Sequence, residues 1–227
     1  MRISVLGSKA NIEESRPYCK RHSAIYIPSL KLLIDCSEDI LPLAKRLPIK
    51  YLVITHFHPD HYCREALELV EPDYVLISKW SRGNKTPEIQ GFEIQGANLF
   101  FFPLYHSTLA PISAVGIEAG GKKLLYAPDF LGFVRYNSFI NNLDLYIGDG
   151  SSLKRSIVRA DRVGHMSIVN QLKMWQELGI PKKIAFLHWG KWIMQFSQEE
   201  IEQIINGLSR IYKVDIKALW DRKEIEV

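Results

Sequence analysis

Residues 55–62, Thr-His-Phe-His-Pro-Asp-His-Tyr, constrain the possible folds of this chain more than any other stretch. They place three imidazoles and one carboxylate within six residues, from His56 to His61. An apolar, β-prone run (51–54) precedes them and a helix-forming run (64–69) follows, so we expect a loop between a buried strand and a helix. Histidine and aspartate are good ligands for borderline cations such as zinc. The stretch therefore predicts a metal site at the end of a strand.

Composition predicts an ordinary globular protein. The chain has 227 residues, of which 47% are hydrophobic and 24% charged, and it contains no linker-like tract or internal repeat. We therefore expect one domain covering residues 1–227. The net charge of +4 is compatible with a small anionic substrate and does not require nucleic acid, although a small nucleic-acid footprint or a homo-oligomer would also be compatible.

The cysteines and the apolar runs bear on the cellular location. Cys19, Cys36 and Cys63 are scattered and form no CxxC pair. An odd, scattered set favours reduced thiols in a cytoplasmic protein. No apolar run is long enough to cross a bilayer, so we expect no membrane partner.

Strand-like segments dominate the first half of the chain, and helical segments flank them. Hairpins are predicted over 23–35 and 113–126, which favours antiparallel or mixed sheets. Helices are predicted over 38–47, from Ser167 to 178, and after Ser197. The predicted class is α/β (α+β), with two sheets face to face and helices outside.

Three further candidate ligands follow β-prone runs. His106, Asp129 and His188 come shortly after the segments 98–102, 122–126 and 183–187. If these strands end at one edge of the sheets, their polar residues converge there with those of the His-rich stretch. Taken singly, each residue would more often have an ordinary turn or structural role than a role as a ligand, whereas their shared placement favours one site.

This pattern resembles the metallo-β-lactamase superfamily over nearly the whole chain, and the resemblance implies a four-layer αββα sandwich. It also implies two divalent metal ions, zinc first, with manganese or iron as alternatives. One ion would be held by His56, His58 and His106, the other by Asp60, His61 and His188, with Asp129 bridging the two.

Gly164-His165-Met166-Ser167, placed before a helix, is similar to the phosphodiesterase branch of that superfamily, which includes ribonuclease Z and phosphoribosyl cyclic phosphate phosphodiesterase. The resemblance implies that His165 lies near the substrate phosphate as general acid or phosphate clamp; a structural role at the helix start is the alternative. Asp60 is the second catalytic candidate, managing the proton of the attacking water. The predicted function is hydrolysis of a small cyclic or nucleotide-type phosphodiester through a hydroxide that bridges the two metals.

Three other functions stay open. The first is an RNA or DNA nuclease of the ribonuclease Z type, although no insertion matches its tRNA-gripping arm. The second is a thioester or lactone hydrolase of the glyoxalase II or lactonase type, and the third is a metal-binding module without catalysis. Lys79, Arg155 and Lys191 are candidate anion contacts or simply solvated charges.

Overall fold

The computed structural model describes residues 1–77, 90–107, 112–160 and 163–227. The strands in this part of the chain are β1 (Arg2–Gly7), β2 (Ala24–Ile27), β3 (Leu32–Ile34), β4 (Tyr51–Ile54), β5 (Val75–Ile77), β6 (Gln90–Ile94), β7 (Ala97–Tyr105), β8 (Ile112–Ala119), β9 (Lys122–Tyr126), β10 (Gly132–Phe133), β11 (Leu145–Asp149), β12 (Ile157–Ala160), β13 (Val163–His165), β14 (Lys183–Leu187), β15 (Asp215–Ala218) and β16 (Glu224–Glu226). The α-helices are α1 (Leu41–Ala44), α2 (Ile168–Leu178), α3 (Lys191–Met194) and α4 (Gln198–Tyr212). Short 3-10 helices cover Pro28–Leu30, Arg64–Leu69, Pro72–Tyr74 and Ser138–Ile140.

Two mixed sheets form the centre of the molecule. The first has the order β16-β1-β2-β3-β4-β5, and the second has the order β10-β7-β8-β9-β11-β14-β15, with β6 paired to β7. Hairpins give antiparallel neighbours such as β8 and β9, whereas β3–β4 and β11–β14 are parallel. A separate two-stranded ribbon pairs β12 with β13.

Three apolar layers hold the sheets and helices together. Side chains such as Val53 and Ile147 fill the space between the sheets. On the outer face of the second sheet, Phe186 packs in the same cluster as Trp175 of α2 and Ile201 of α4. A third cluster covers the outer face of the first sheet and includes residues of α1. The predicted fold class, an αββα sandwich, is therefore confirmed.

Both long helices begin as the sequence predicts. The Ser167 hydroxyl accepts a hydrogen bond from the Asn170 N–H at the start of α2. At the start of α4, Ser197 and Glu200 form a reciprocal capping box, which satisfies two backbone donors that a helix end leaves free.

The structure departs from the predicted helices in two places. The predicted helix over 38–47 contains only the four α-helical residues of α1, with prolines at positions 42 and 48 limiting its length. Residues 64–69 form a 3-10 helix rather than an α-helix. Strands β10, β12 and β13 were not predicted, because short strands give little periodic signal.

In the described part of the chain, no helix combines the length and apolarity that crossing a bilayer requires. All three cysteines are buried free thiols.

Candidate metal centre

The seven candidate ligands lie together in two adjoining groups, in each of which the ligand-type atoms are within 4.8 Å of one another. We call the first the His group and the second the Asp–His group. The His group consists of His56, His58 and His106. The Asp–His group consists of Asp60, His61, Asp129 and His188.

A short turn after β4 brings four of these side chains into place. The N–H of His61 donates to the carbonyl of His58 (2.9 Å), and Pro59 lies inside this turn. The Cys36 N–H then donates to the His61 carbonyl (2.9 Å), which fastens the turn to the first sheet. This local geometry allows residues close in sequence to serve both groups.

Asp129 lies between the two groups. Its Oδ2 is 2.7 Å from His61 Nε2 and 3.6 Å from His56 Nε2. Its Oδ1 is 3.0 Å from His188 Nε2 and 3.5 Å from His106 Nε2. One carboxylate therefore contacts histidines of both groups, which is the position that a bridging ligand would occupy.

Several buried polar atoms at this place lack a hydrogen-bond partner among the described residues. They include Asp60 Oδ1, His61 Nε2 and Asp129 Oδ2. His61 Nε2 and Asp129 Oδ2 are close, but they do not meet in a hydrogen-bonding geometry. Orphaned buried polar atoms are costly in a native protein unless something else satisfies them. Imidazole and carboxylate donors converging in this way fit a divalent metal such as zinc.

Four histidines use Nδ1 for a supporting contact, which leaves Nε2 for the centre. His61 Nδ1 contacts Asp35 Oδ2 at 2.8 Å, and His188 Nδ1 contacts the Ser23 hydroxyl at 3.0 Å. In the His group, the partners are the Thr55 hydroxyl for His56 (3.1 Å) and the Gly164 carbonyl for His106 (3.0 Å). Such supports are typical of metal-binding histidines, because they fix the tautomer and the ring orientation.

Two of the residues involved have an unusual backbone. Asp35 and His188 both have a φ of 64°, in the left-handed region that non-glycine residues seldom adopt. Such conformations persist where the surroundings hold them, and they often mark functional sites.

His165 lies beside the junction of the two groups. Its Nδ1 is 2.6 Å from Asp149 Oδ2, 3.4 Å from Asp129 Oδ1 and 3.3 Å from the Ser151 hydroxyl. Asp149 is itself held by the backbone N–H groups of Phe130 (3.0 Å) and Ser151 (2.8 Å). The side chain of His165 remains 19% exposed, so solvent or a substrate can reach it.

The electrostatic environments of the two groups differ. Burial lowers the pKa of His56, His58 and His106, which keeps these imidazoles neutral. Burial also disfavours charge on His61, but the carboxylates around it outweigh this and raise its pKa well above the usual value.

Asp129 and His165 are shifted by their neighbours. Burial would raise the pKa of Asp129, but nearby histidines, His106 foremost, hold it well below the usual range. Burial would lower the pKa of His165, but the charge and hydrogen bond of Asp149 raise it to about 9. His165 is therefore protonated at neutral pH in the metal-free protein.

Three supporting residues were not predicted from the sequence. Asp149 ends β11 and Asp35 follows β3, so both show the same strand-end pattern that identified Asp129. That pattern could have found them. No signal pointed to Ser23, whose partner His188 is 165 positions away.

The basic candidates do not reach the two groups through any described contact. Lys191 pairs with Glu14 (3.2 Å), and its side chain is 76% exposed. Arg155 is exposed. Lys79 lies outside the described residues.

Comparison with known proteins agrees with this architecture. Residues 31–189 match the family model described as a beta-lactamase superfamily domain. No match was found among curated protein sequences.

Several solved structures share the fold. The short form of human tRNase Z superimposes with a TM-score of 0.69 at 16% identity, covering 100% of this chain and 99% of that one. Zn²⁺-bound PqqB from Methylobacterium extorquens gives 0.65 at 17% identity, with 100% of both chains covered. A diphosphatase of the PhnP family gives 0.64 at 15% identity, covering 100% of this chain and 98% of that one.

At these identities the solved structures establish the fold and not the substrate. The family model covers most of the chain and includes the His-rich turn, Asp129 and His188. Together with the shared architecture, this match shows that the chain belongs to the metallo-β-lactamase superfamily.

Proposed function

We propose that this protein is a two-metal phosphodiesterase that acts on a small cyclic or nucleotide-type phosphodiester. The observation that carries the proposal is the pairing of His165 with Asp149 at 2.6 Å, directly beside Asp129. A cationic imidazole at this place complements the negative charge of a phosphodiester, whereas a neutral ester or thioester carries no charge that it could attract.

We assign one divalent cation to each group, with Asp129 shared between them. The supporting observations are the spacing of the ligand atoms, the orphaned buried atoms and the Nδ1 contacts described above. The Zn²⁺ held by PqqB, a protein of the same fold, favours zinc. When bound, two such cations polarise a phosphoryl oxygen and make water a better nucleophile at neutral pH.

His165 is placed to handle the proton of the leaving group. Its Nδ1–H donates to Asp149, so Nε2–H is the proton available for transfer. In the metal-free protein Asp149 outweighs burial and raises the pKa of His165 to about 9, so this environment favours a protonated ring that can also attract the phosphate. Asp149 thereby orients the ring and stabilises its charge.

Asp60 is the candidate for the proton of the attacking water. Its side chain is buried next to His61, and the charge of His61 holds its pKa well below the usual range despite burial. It is therefore an ionised acceptor. Its Oδ1 has no hydrogen-bond partner among the described residues and is free to orient a water molecule.

A nuclease is the second candidate, favoured by the full-length superposition on human tRNase Z. The same residues would perform the same chemistry on an RNA or DNA strand. Comparing the rates of hydrolysis of a cyclic nucleotide and of a short labelled RNA at two salt concentrations distinguishes a small-molecule phosphodiesterase from a nuclease. Adding a lactone and a thioester tests the remaining hydrolase alternatives.

The central experiment measures hydrolysis of bis(p-nitrophenyl) phosphate. The protein is stripped with a chelator and reloaded with Zn²⁺ or Mn²⁺, and bound metal is quantified by mass spectrometry. We expect turnover only in the reloaded protein. Absence of turnover in protein shown to hold two ions would overturn the proposal.

A variant tests the role of His165 separately. His165→Ala should reduce turnover by about 10²–10⁴-fold, the usual contribution of a positioned proton donor. Bound metal should stay near two ions per chain. Loss of metal would instead assign His165 a role as ligand or structural support, and Arg155→Gln, a change of a nearby exposed residue, serves as the control.

A further inference from the structure

The β12–β13 ribbon is fastened to the candidate metal centre through its second strand. Ile157 pairs with His165, and Val158 pairs with Gly164. The Gly164 N–H donates to the His106 carbonyl (2.8 Å), and the Gly164 carbonyl contacts His106 Nδ1 (3.0 Å). A side chain at Gly164 would collide with the Ile157 carbonyl, so the two strands approach as closely as they do because glycine stands there. The ribbon is thus held against the centre.

Arg159 lies at an irregularity of this ribbon. The pairing passes from Val158–Gly164 directly to Ala160–Val163, which leaves Arg159 without an opposite residue. Bulges of this kind redirect a side chain and are common next to active sites. Arg159 is exposed, and it makes no ion pair with any residue that the structure describes.

The charge of Arg159 also reaches His165. Burial is the largest influence on the pKa of the imidazole and lowers it, Asp149 and Asp129 raise it, and the charge of Arg159 adds a smaller lowering. Lys154 and Arg155, which precede β12 in the chain, are not among the leading influences on that pKa. Arg159 stands two positions beyond Ile157, the residue that pairs with His165, and no described carboxylate is paired with Arg159.

We propose that Arg159 binds a non-bridging phosphate oxygen of the substrate held beside His165, so that the ribbon selects anionic esters over neutral ones. This inference rests on the proposed phosphodiesterase function and assigns part of its specificity to a residue outside both ligand groups. An anionic substrate supplies the partner that Arg159 lacks among the described residues. A guanidinium suits this task because its planar fork can contact two phosphate oxygens at once.

The test compares three variants of the metal-loaded protein. Arg159→Gln removes the charge, Arg159→Lys keeps it without the fork, and Arg155→Gln removes a neighbouring exposed charge as a matched control. Each is assayed for kcat and KM on bis(p-nitrophenyl) phosphate. Binding of inorganic phosphate is measured by titration calorimetry, and bound metal is counted.

We expect Arg159→Gln to raise KM and to weaken phosphate binding by roughly tenfold, the effect of one hydrogen bond to a charged group. For Arg159→Gln, kcat and metal content should stay within about twofold of the wild type. The KM and phosphate affinity of Arg159→Lys should fall between those of Arg159→Gln and the wild type, and Arg155→Gln should match the wild type. A change below about threefold in Arg159→Gln, an equal change in Arg155→Gln, or loss of metal overturns the role of Arg159. If the wild type hydrolyses the diester in that case, the proposed function stands. A wild type that neither hydrolyses the diester nor binds phosphate overturns both.

Discussion

The His group and the Asp–His group share one edge of the sheets but are supported by different chemistry. In the His group, Nδ1 of His56 contacts the Thr55 hydroxyl and Nδ1 of His106 contacts a backbone carbonyl, and both of these partners are neutral. In the Asp–His group, Nδ1 of His61 contacts the buried carboxylate of Asp35, and Asp60 lies next to the ring of His61. A carboxylate support makes an imidazole a stronger ligand. We therefore expect the Asp–His group to hold its cation more tightly than the His group.

The largest effect should come from changing Asp129, whose carboxylate contacts histidines of both groups. Asp129→Asn keeps the side-chain volume but removes the charge between the groups. We expect both ions to be lost at micromolar metal and hydrolysis to fall by more than about a hundredfold, beyond the loss typical of a supporting residue. Metal analysis after gel filtration gives the readout, and circular dichroism confirms folding. Retention of two ions would contradict the shared position of Asp129.

The second effect concerns His165, whose pKa is raised, whereas the pKa values of the histidines in the His group are lowered. In the metal-free protein its pKa is raised from 6.5 to about 9, chiefly because Asp149 outweighs burial. A raised folded-state pKa stabilises the protein fully below about pH 6.5, and this stabilisation is lost as the pH rises through about 9. We expect His165→Gln to destabilise the metal-free protein by up to about 3 kcal/mol more at pH 6 than at pH 9.5.

Urea unfolding of wild type and variant at both pH values measures this difference. The histidines of the His group have lowered pKa values, so their contribution goes the other way and disfavours the folded protein in acid. Subtracting the variant from the wild type removes that shared background. A difference independent of pH would show that His165 is not held by Asp149 as described.

The smallest effects should distinguish the supports within the Asp–His group. Asp35→Asn should weaken zinc binding there by about 10–100-fold, the usual cost of losing a charged supporting contact. Ser23→Ala removes the neutral support of His188 and should cost only a few-fold, about 1 kcal/mol. Competition with a fluorescent zinc chelator measures both sites. Equal losses in the two variants, or a larger loss at the His group, would refute the difference between the groups.

The local parts of the candidate site could be predicted because they follow from the chain direction and from strand periodicity. His56 to His61 occupy one turn, and a buried apolar strand directly before such a turn is visible in the sequence. His106, Asp129 and His188 were predicted from the same strand-end placement. The capped helices α2 and α4 were predicted from residues within a few positions of each other.

The supports of these side chains could not be predicted, because each depends on which strand ends meet. Asp35 and His61 are 26 positions apart, and Ser23 and His188 are 165 apart. Asp149 acquires its place beside His165 only when β13 is brought against the end of β11, and the short β12–β13 ribbon gives no periodic signal in sequence.

By itself, then, the sequence determined the chemical identity of the centre. A dense set of imidazoles and carboxylates after apolar strands can be recognised without coordinates, because local pattern decides which side chains stand at strand ends. Only the tertiary structure decided how these side chains divide into two groups, which of them have charged supports, and that Arg159 and His165 stand on the same two-stranded ribbon. Those features depend on sheet order and on strand pairing between distant segments. A hydrogen bond requires its atoms to come within about 3 Å, and the spacing of residues in the sequence does not show which distant residues do so.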